Sequence, residues 1–368
     1  MQNKKIFIIA GEVSGDVLGA KIMRAAPGVE FIGIGGENMR AAGLKPLFPM
    51  SDLAVMGLID VARHARTLTR RIRDAADAII AARPDMVLTI DAPGLAKSVI
   101  RRVRKSREYP AMRRAGLEFR HVVAPQVWAW RPGRAKKFAK LFDKLYAFFE
   151  FEAPYFTKYG LDTVVVGHPI ADGLPPRAAN GGDKKTVALM PGSRVGEITR
   201  ILPLMRDVAV RMGNGYKFEI PVVETTADFV RENIADWPVR VELVPATARY
   251  ELFSRAGLAI AASGTVSVEL AMMHVPAVIV YKMNPVTMWL ARRIVKLKWV
   301  SLVNILMNRS IYPEFLGTDA VAKNVVDAVQ QLQDAGPRAR MIADLTAADA
   351  VWCRGAPAAQ IIADDLKK

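Results

Sequence analysis

The run TVALMPGSRVGEI, residues 186–198, changes character halfway along. Thr186-Val187-Ala188-Leu189 is short and apolar, the pattern of a buried strand. Pro191-Gly192 then turns the chain, and a helical pattern opens with Ser193 and Arg194. A buried strand handed to a helix through a glycine turn is the building unit of a parallel α/β sheet. The same turn points the unpaired N–H groups of a helix start past the strand end, where they attract anions. A hydroxyl and a guanidinium placed there leave open which anion is held.

Outward from this stretch the same alternation fills the chain. Strand patterns fall at 5–10, 31–35, 85–91, 119–124, 144–149 and 163–168, then at 186–190, 217–223, 240–244, 258–262 and 277–281. Helical patterns fill most of the gaps, among them 63–83, 98–107, 194–212 and 226–236. Strands apolar throughout and joined by helices read as parallel and buried on both faces. The pattern occurs twice, on either side of a Gly- and Pro-rich stretch at 167–185. The expected fold is therefore α/β: two Rossmann-like doubly wound domains facing a cleft, with ligands at the carboxyl ends of the strands. The expected bounds are 1–170, 171–335 and a helical tail, 336–368, whose packing partner periodicity does not give.

Composition narrows the function classes. The 368 residues carry a net charge of +16 and are 51% apolar, which suits two cored domains with anionic partners. The single cysteine, Cys353, excludes an intrachain disulfide and a cysteine-rich metal site, and fits a reducing cytoplasm. No uncharged run reaches the ~18 residues of a membrane span, and Ile6–Ala10 is too short for a signal-peptide core, so a soluble or peripheral protein is expected. The four histidines stand apart from one another, and no Asp-x-Asp pair occurs, so no bound metal is expected.

Chemistry-bearing residues cluster at the strand ends. GEVSGD (11–16) supplies Gly11, Glu12 and Ser14. It is neither a dinucleotide fingerprint nor a P-loop; Glu12 disfavours phosphate there, and sugar hydroxyls fit better, with a plain βα turn as the alternative. TIDAPG (89–94) places Asp91 at a strand end, where it suits a general base, or else a helix cap. QVWAWRPGR (126–134) offers Trp128 and Arg131 as an aromatic–cationic platform, unless a tryptophan there is simply core. ASGTVSVELA (262–271) supplies Ser263, Gly264 and Thr265 at a second helix opening, with Glu269 beyond it in reach of ribose hydroxyls. Together with Ser193 and Arg194 these residues suit a diphosphate held without a metal. Residues 301–317 read as a polar-apolar loop without period. Two basic-apolar stretches, 53–73 and 284–300, are candidates for a membrane surface.

These motifs, in this order, resemble the lipid-A-disaccharide synthase family: AGEVSGDVLGA (10–20), AVMGLIDV (54–61), IDAP (90–93), QVWAWRPGR, GHPI (167–170), PGSRVGEI (191–198), SGTVSVELA (263–271), SLVNIL (301–306) and PEFLG (313–317). The resemblance implies a GT-B-like, inverting, metal-independent glycosyltransferase without cofactor. It would join UDP-2,3-diacylglucosamine to 2,3-diacylglucosamine 1-phosphate by a β-1,6 bond and release UDP. It implies Asp91 as base, with Glu12 beside it, and substrate or nucleotide contacts at Asn304 and Glu314. It also implies lipid or acyl contact by Val55, Met56, Leu58, Ile59 and Val61, cytoplasmic residence at the anionic inner-membrane surface of a Gram-negative bacterium, and no nucleic-acid partner; a homodimer is left open. The family usually continues IDAP with Phe-Asn after one residue; here Gly94-Leu95-Ala96 follows, and Gln126 stands where a small Ser is expected. A UDP-N-acetylglucosamine 2-epimerase, a MurG-like transferase and an RNA-binding protein are the competing expectations.

Overall fold

The computed structural model describes residues 4–53, 58–128, 132–176, 181–282, 298–353 and 355–368, with the backbone alone for 58–65. The chain divides into two compact units, one running to Asp172 and including Cys353–Lys368, the other Gly173–Trp352.

The first unit holds β1 (Lys5–Ala10), β2 (Glu30–Ile34), β3 (Met86–Ile90), β4 (Glu118–Val122), β5 (Lys144–Ala147) and β6 (Asp162–Val165). They form one parallel sheet in the order β2-β1-β3-β4-β5-β6. Alternate side chains of β1 enter different cores: Phe7 and Ile9 pack on one face, Ile6, Ile8 and Ala10 on the other. Both faces are covered, which is why the strand is apolar without a break. Strand order reverses between β1 and β3, where Ala10 lies opposite Ile90. Gly11–Glu12 and Asp91 therefore leave the sheet side by side at the switch point, where open α/β sheets bind ligands.

The second unit holds β7 (Asp183–Met190), β8 (Lys217–Val222), β9 (Val241–Pro245), β10 (Ala256–Ala262), β11 (Ala277–Tyr281) and β12 (Glu314–Leu316). Its parallel order is β12-β11-β10-β7-β8-β9. Here the order reverses between β7 and β10, with Met190 opposite Ala261. The loops after those strands are PGSR and SGT. Two Rossmann-like halves thus each carry a motif pair at the switch point.

The structure departs from the sequence reading in two places. Residues 301–317 are not a loop: they contain a helix, Leu302–Met307, and β12. A three-residue strand is too short to show a period. The tail is divided. Helix Ala335–Ala347 packs with the second unit, whereas helix Ala358–Leu366 returns to the first. There Ala358, Ala359, Ile362 and Leu366 join the core that holds Ile6 and Ile8. Asp365 Oδ2 fixes the docking by accepting from Arg120 (3.0 Å), Lys144 (2.8 Å) and Tyr146 (2.7 Å). Among the described residues, no helix is long and apolar enough to cross a membrane.

Candidate active site

The strand ends of the second unit enclose a cavity of about 400 Å³. Pro191–Arg194 follow β7, Pro221 and Val223 belong to β8 and its exit, Ala246 follows β9, and Ser263–Val266 follow β10. Helix Val195–Met212 starts at its rim. Its N-cap is Arg194, in extended conformation, and no side chain caps it. The first N–H groups of a helix have no acceptor within the helix. With an arginine in place of the usual Ser or Asp, the start also carries a cation. The Arg194 side chain is 70% exposed and touches Glu197 at only 3.6 Å. The motif thus begins the helix one residue later than its hydroxyl suggested, and Ser193 lines the cavity without capping.

The hydroxyls after β10 are partly engaged. Ser263 Oγ donates to the Val300 carbonyl at 2.9 Å, so its proton is committed to the next segment. Thr265 is the N-cap of the short helix Val266–Met272, without a side-chain cap bond. Glu269 lies on that helix, nearly buried, and lines the cavity. Its Oε2 accepts from Arg249 Nε at 2.8 Å. Arg249 also lines the cavity; it opens helix Arg249–Arg255 after β9, where no motif marks it in the sequence.

Asn304 and Glu314, expected as substrate contacts, bond each other and the local backbone. Asn304 is fully buried. Its Oδ1 accepts from the Ile311 and Tyr312 N–H groups (2.8 and 2.9 Å), and its Nδ2 donates to the Tyr312 carbonyl and Glu314 Oε1 (both 2.8 Å). An amide has two donors and two acceptor positions, so none is left for a ligand. Glu314 accepts from Val300 and Ser301 N–H groups, each at 2.9 Å. Burial raises its pKa, against the pull of those bonds. The pair holds the 298–316 segment in shape beside Ser263.

In the first unit the motif residues converge on the β1/β3 edge. A Cβ on Gly11 would stand 2.9 Å from Leu95 Cδ2 and 3.4 Å from the Ala92 Cβ, so the two loops pack closely here and a larger residue would have to displace the Leu95 side chain. Glu12 is exposed and is the N-cap of helix Val13–Ala25; Ser14 is exposed in its first turn. Asp16 does not cap that helix. It caps the next one, Glu37–Ala41, accepting from the N–H groups of Gly36, Asn38 and Met39 and from the Asn38 amide. Burial opposes its charge, and the four bonds outweigh it, lowering the pKa.

Asp91 is half-buried and bonds its neighbour's N–H, Ala92 N to Oδ1, at 2.8 Å. Asp91 and Ala92 both have positive φ (54° and 43°), as does Val123 (80°) at the end of β4. Such conformations cost about 1–3 kcal/mol each in non-glycine residues and gather at functional sites. Ala96, where the resemblance implies Asn, is buried in the core. Trp128 packs edge-on to Phe151, ring centroids 5.3 Å apart. Beside it Glu152, unremarked in the sequence, accepts from the Phe148 and Phe149 N–H groups, and burial raises its pKa to about 7. His168 is buried against the same two phenylalanines, with its pKa lowered by burial to about 4.

Val55, Met56 and Arg131 lie outside the described residues. Leu58, Ile59 and Val61 belong to helix Leu58–Ala82, described there by backbone alone.

The architecture is shared with solved structures at low sequence identity. Staphylococcus aureus MnaA in complex with UDP gives a TM-score of 0.64 at 16% identity, covering 98% of this chain and 95% of that one. UDP-GlcNAc 2-epimerase from Neisseria meningitidis, bound to UDP-GlcNAc, gives 0.66 at 12%, covering 99% of each. Acinetobacter baumannii MurG gives 0.61 at 12%, again covering 99% of each. These likenesses fix the fold and no more. Sequence relatives go further. A lipid-A-disaccharide synthase from Rhodospirillum centenum is 39% identical over 345 residues, 89% of this chain and 84% of that protein. One from Paramagnetospirillum magneticum is 39% identical over 346 residues, 89% and 87% of the two chains. The family model for lipid-A-disaccharide synthetase matches residues 6–346. The chain therefore belongs to the lipid-A-disaccharide synthase family, glycosyltransferases whose reaction forms the lipid A disaccharide.

Proposed function

We propose that the donor is UDP-2,3-diacylglucosamine, that the acceptor is 2,3-diacylglucosamine 1-phosphate, and that each is handled by one of the two switch points. The observation that carries this reading is the pocket beyond β7 and β10. It combines an exposed Arg194, an uncapped helix start and a carboxylate, Glu269. That set suits a nucleoside diphosphate: positive groups for the phosphates, an acceptor for ribose hydroxyls.

The chemistry follows from charge. Asp91 takes the proton of the acceptor 6-hydroxyl. As the O6–C1 bond forms on one face of the donor sugar, the C1–O bond to UDP breaks on the other, giving the β-1,6 linkage with inversion. Negative charge grows on the departing diphosphate. Arg194 and the N–H groups that open helix Val195–Met212 stabilise it, with no metal required. Arg194 leaves its loose contact with Glu197 to do so. Glu12, Gly11 and Ser14 line the acceptor side, with Trp128 and Arg131 as a platform near it. Val55, Met56, Leu58, Ile59 and Val61 meet acyl chains, and exposed Arg66, Arg70, Arg73, Arg101 and Arg102 draw the first unit to an anionic inner-membrane surface.

The test is UDP release from the proposed donor in EDTA, with and without the proposed acceptor. Release that needs the acceptor and yields a disaccharide phosphate is expected. No release there, with turnover of plain UDP-N-acetylglucosamine instead, overturns the substrate assignment.

A further inference from the structure

We infer that Arg249 is a positioning residue that holds Glu269 toward the nucleotide ribose, and so sets a preference for nucleotides bearing ribose hydroxyls. This rests on the proposed role of the cavity as the nucleotide site.

The two arginines that line the cavity are built differently. Arg194 is mostly exposed and has one loose acidic contact, at 3.6 Å. The Arg249 side chain is 33% exposed and anchored through all three nitrogens. Nε donates to Glu269 Oε2 (2.8 Å), Nη1 to the Ala246 carbonyl (3.1 Å) and Nη2 to the Tyr250 hydroxyl (3.0 Å). Its guanidinium also lies over the Tyr250 ring, 4.4 Å from the centroid. The anchors fix the Arg249 fork in place, whereas the Arg194 side chain is free to turn toward a phosphate.

What the anchored fork does is fix a carboxylate. Glu269 comes from the helix that follows β10 and Arg249 from the start of the helix that follows β9, two separate strand exits. The Nε bond occupies Oε2 and sets the side-chain rotamer. Among the described residues, Oε1 accepts no hydrogen bond. An ionised carboxylate kept in a cavity by an immobile cation, with one oxygen unused, is prepared to accept from paired hydroxyls. Because that pair is neutral in itself, the cation left to meet a phosphate is Arg194, held only loosely by Glu197, which also lines the cavity. A lysine in place of Arg249 has a single nitrogen and cannot keep the three anchors together.

The test is calorimetric binding of UDP, 2′,3′-dideoxy-UDP and inorganic pyrophosphate to the full chain and its variants, each variant's folding checked by thermal melting. A site built to bind hydroxyls rejects the analogue lacking them, so the native chain is expected to prefer UDP by about tenfold or more. Arg249→Met should reduce that preference below about twofold, with affinity for dideoxy-UDP and pyrophosphate kept, and Arg249→Lys should recover part of it. Glu269→Ala should remove the preference by itself, and the double variant should lose no more, as expected of two residues acting as one unit. Preference kept in Arg249→Met overturns the positioning role while leaving the ribose reading standing. Equal loss for UDP, dideoxy-UDP and pyrophosphate makes Arg249 a phosphate cation instead. A native chain indifferent to the hydroxyls overturns the ribose reading, and this inference with it.

Discussion

Gly192 and Glu197 are fitted to each other. A Cβ on Gly192 would stand 2.7 Å from Glu197 Oε2 and 3.0 Å from its Cβ, and the glycine φ is 110°. The turn that ends β7 can therefore start helix Val195–Met212 beneath the cavity only with glycine at that place. Gly192→Ala should shift the helix start, weaken UDP binding by about tenfold and lower stability by about 1–3 kcal/mol. Adding Glu197→Ala should relieve the clash with the carboxylate but neither the close Cβ contact nor the backbone strain, and so restore only part of the loss. Calorimetry and thermal melting check both; full affinity in Gly192→Ala would remove the turn from the site.

Asp91 and Arg194 should fail in different ways. Asp91→Asn keeps shape and removes the base, so transfer should fall by about 10²–10⁴-fold with UDP affinity within about twofold of native. Arg194→Ala should weaken UDP binding, and with it slow transfer by about 10²–10³-fold, because the lost cation acts on developing charge. If Asp91→Asn loses UDP binding equally, the base lies elsewhere. Unchanged UDP affinity in Arg194→Ala takes that residue off the diphosphate.

Asn304 should behave as a structural residue despite its place in a motif. Asn304→Ala removes the side-chain acceptor of two N–H groups, those of Ile311 and Tyr312, and takes one donor each from the Tyr312 carbonyl and Glu314 Oε1. Each such loss costs about 1–3 kcal/mol, so a fall of several degrees in melting temperature is expected before any change in nucleotide preference. Native melting with weakened UDP binding would instead return Asn304 to the ligand.

Glu152 gives the first unit a pH dependence. Burial raises its carboxyl from the ordinary 4.5 to about 7. The folded chain thus keeps this proton to a higher pH than the unfolded chain does. Its stabilising contribution is complete below the unfolded value and is lost as pH rises through about 7. Glu152→Gln keeps an acceptor for the Phe148 and Phe149 N–H groups and carries no charge. Its melting temperature should overtake that of the native chain as pH rises from about 5 to about 8. Parallel melting curves across that range would refute the assignment.

Much of this architecture is legible in local pattern. Eleven strands announce themselves as short, largely apolar runs, the central ones β1, β3 and β10 buried nearly throughout, and β12 stays hidden because Glu314–Leu316 is too short for any period. PGSR and SGTVSVE point to the cavity because glycine turns and hydroxyls at strand ends are local signals. Arg249 gives none: RYELFSR reads as an ordinary amphipathic turn of helix, and its meaning lies in Glu269, twenty residues away. Asn304 is likewise read only in the fold, since the groups its amide bonds, Ile311, Tyr312 and Glu314, lie seven to ten residues further on, outside SLVNIL.

Strand-to-helix turns, the order of motifs and the surplus of positive charge follow from the sequence by itself, because each depends on residues a few places apart. Tertiary structure alone decided which turns adjoin, that Asp16 caps a helix it does not belong to, that Asn304 faces inward, and that the last helix returns to the first sheet through Asp365. The physical reason is that hydrogen-bond partners far apart in the chain are selected by sheet order and register. Those are set by the packing of the whole unit, and no short window of sequence contains them.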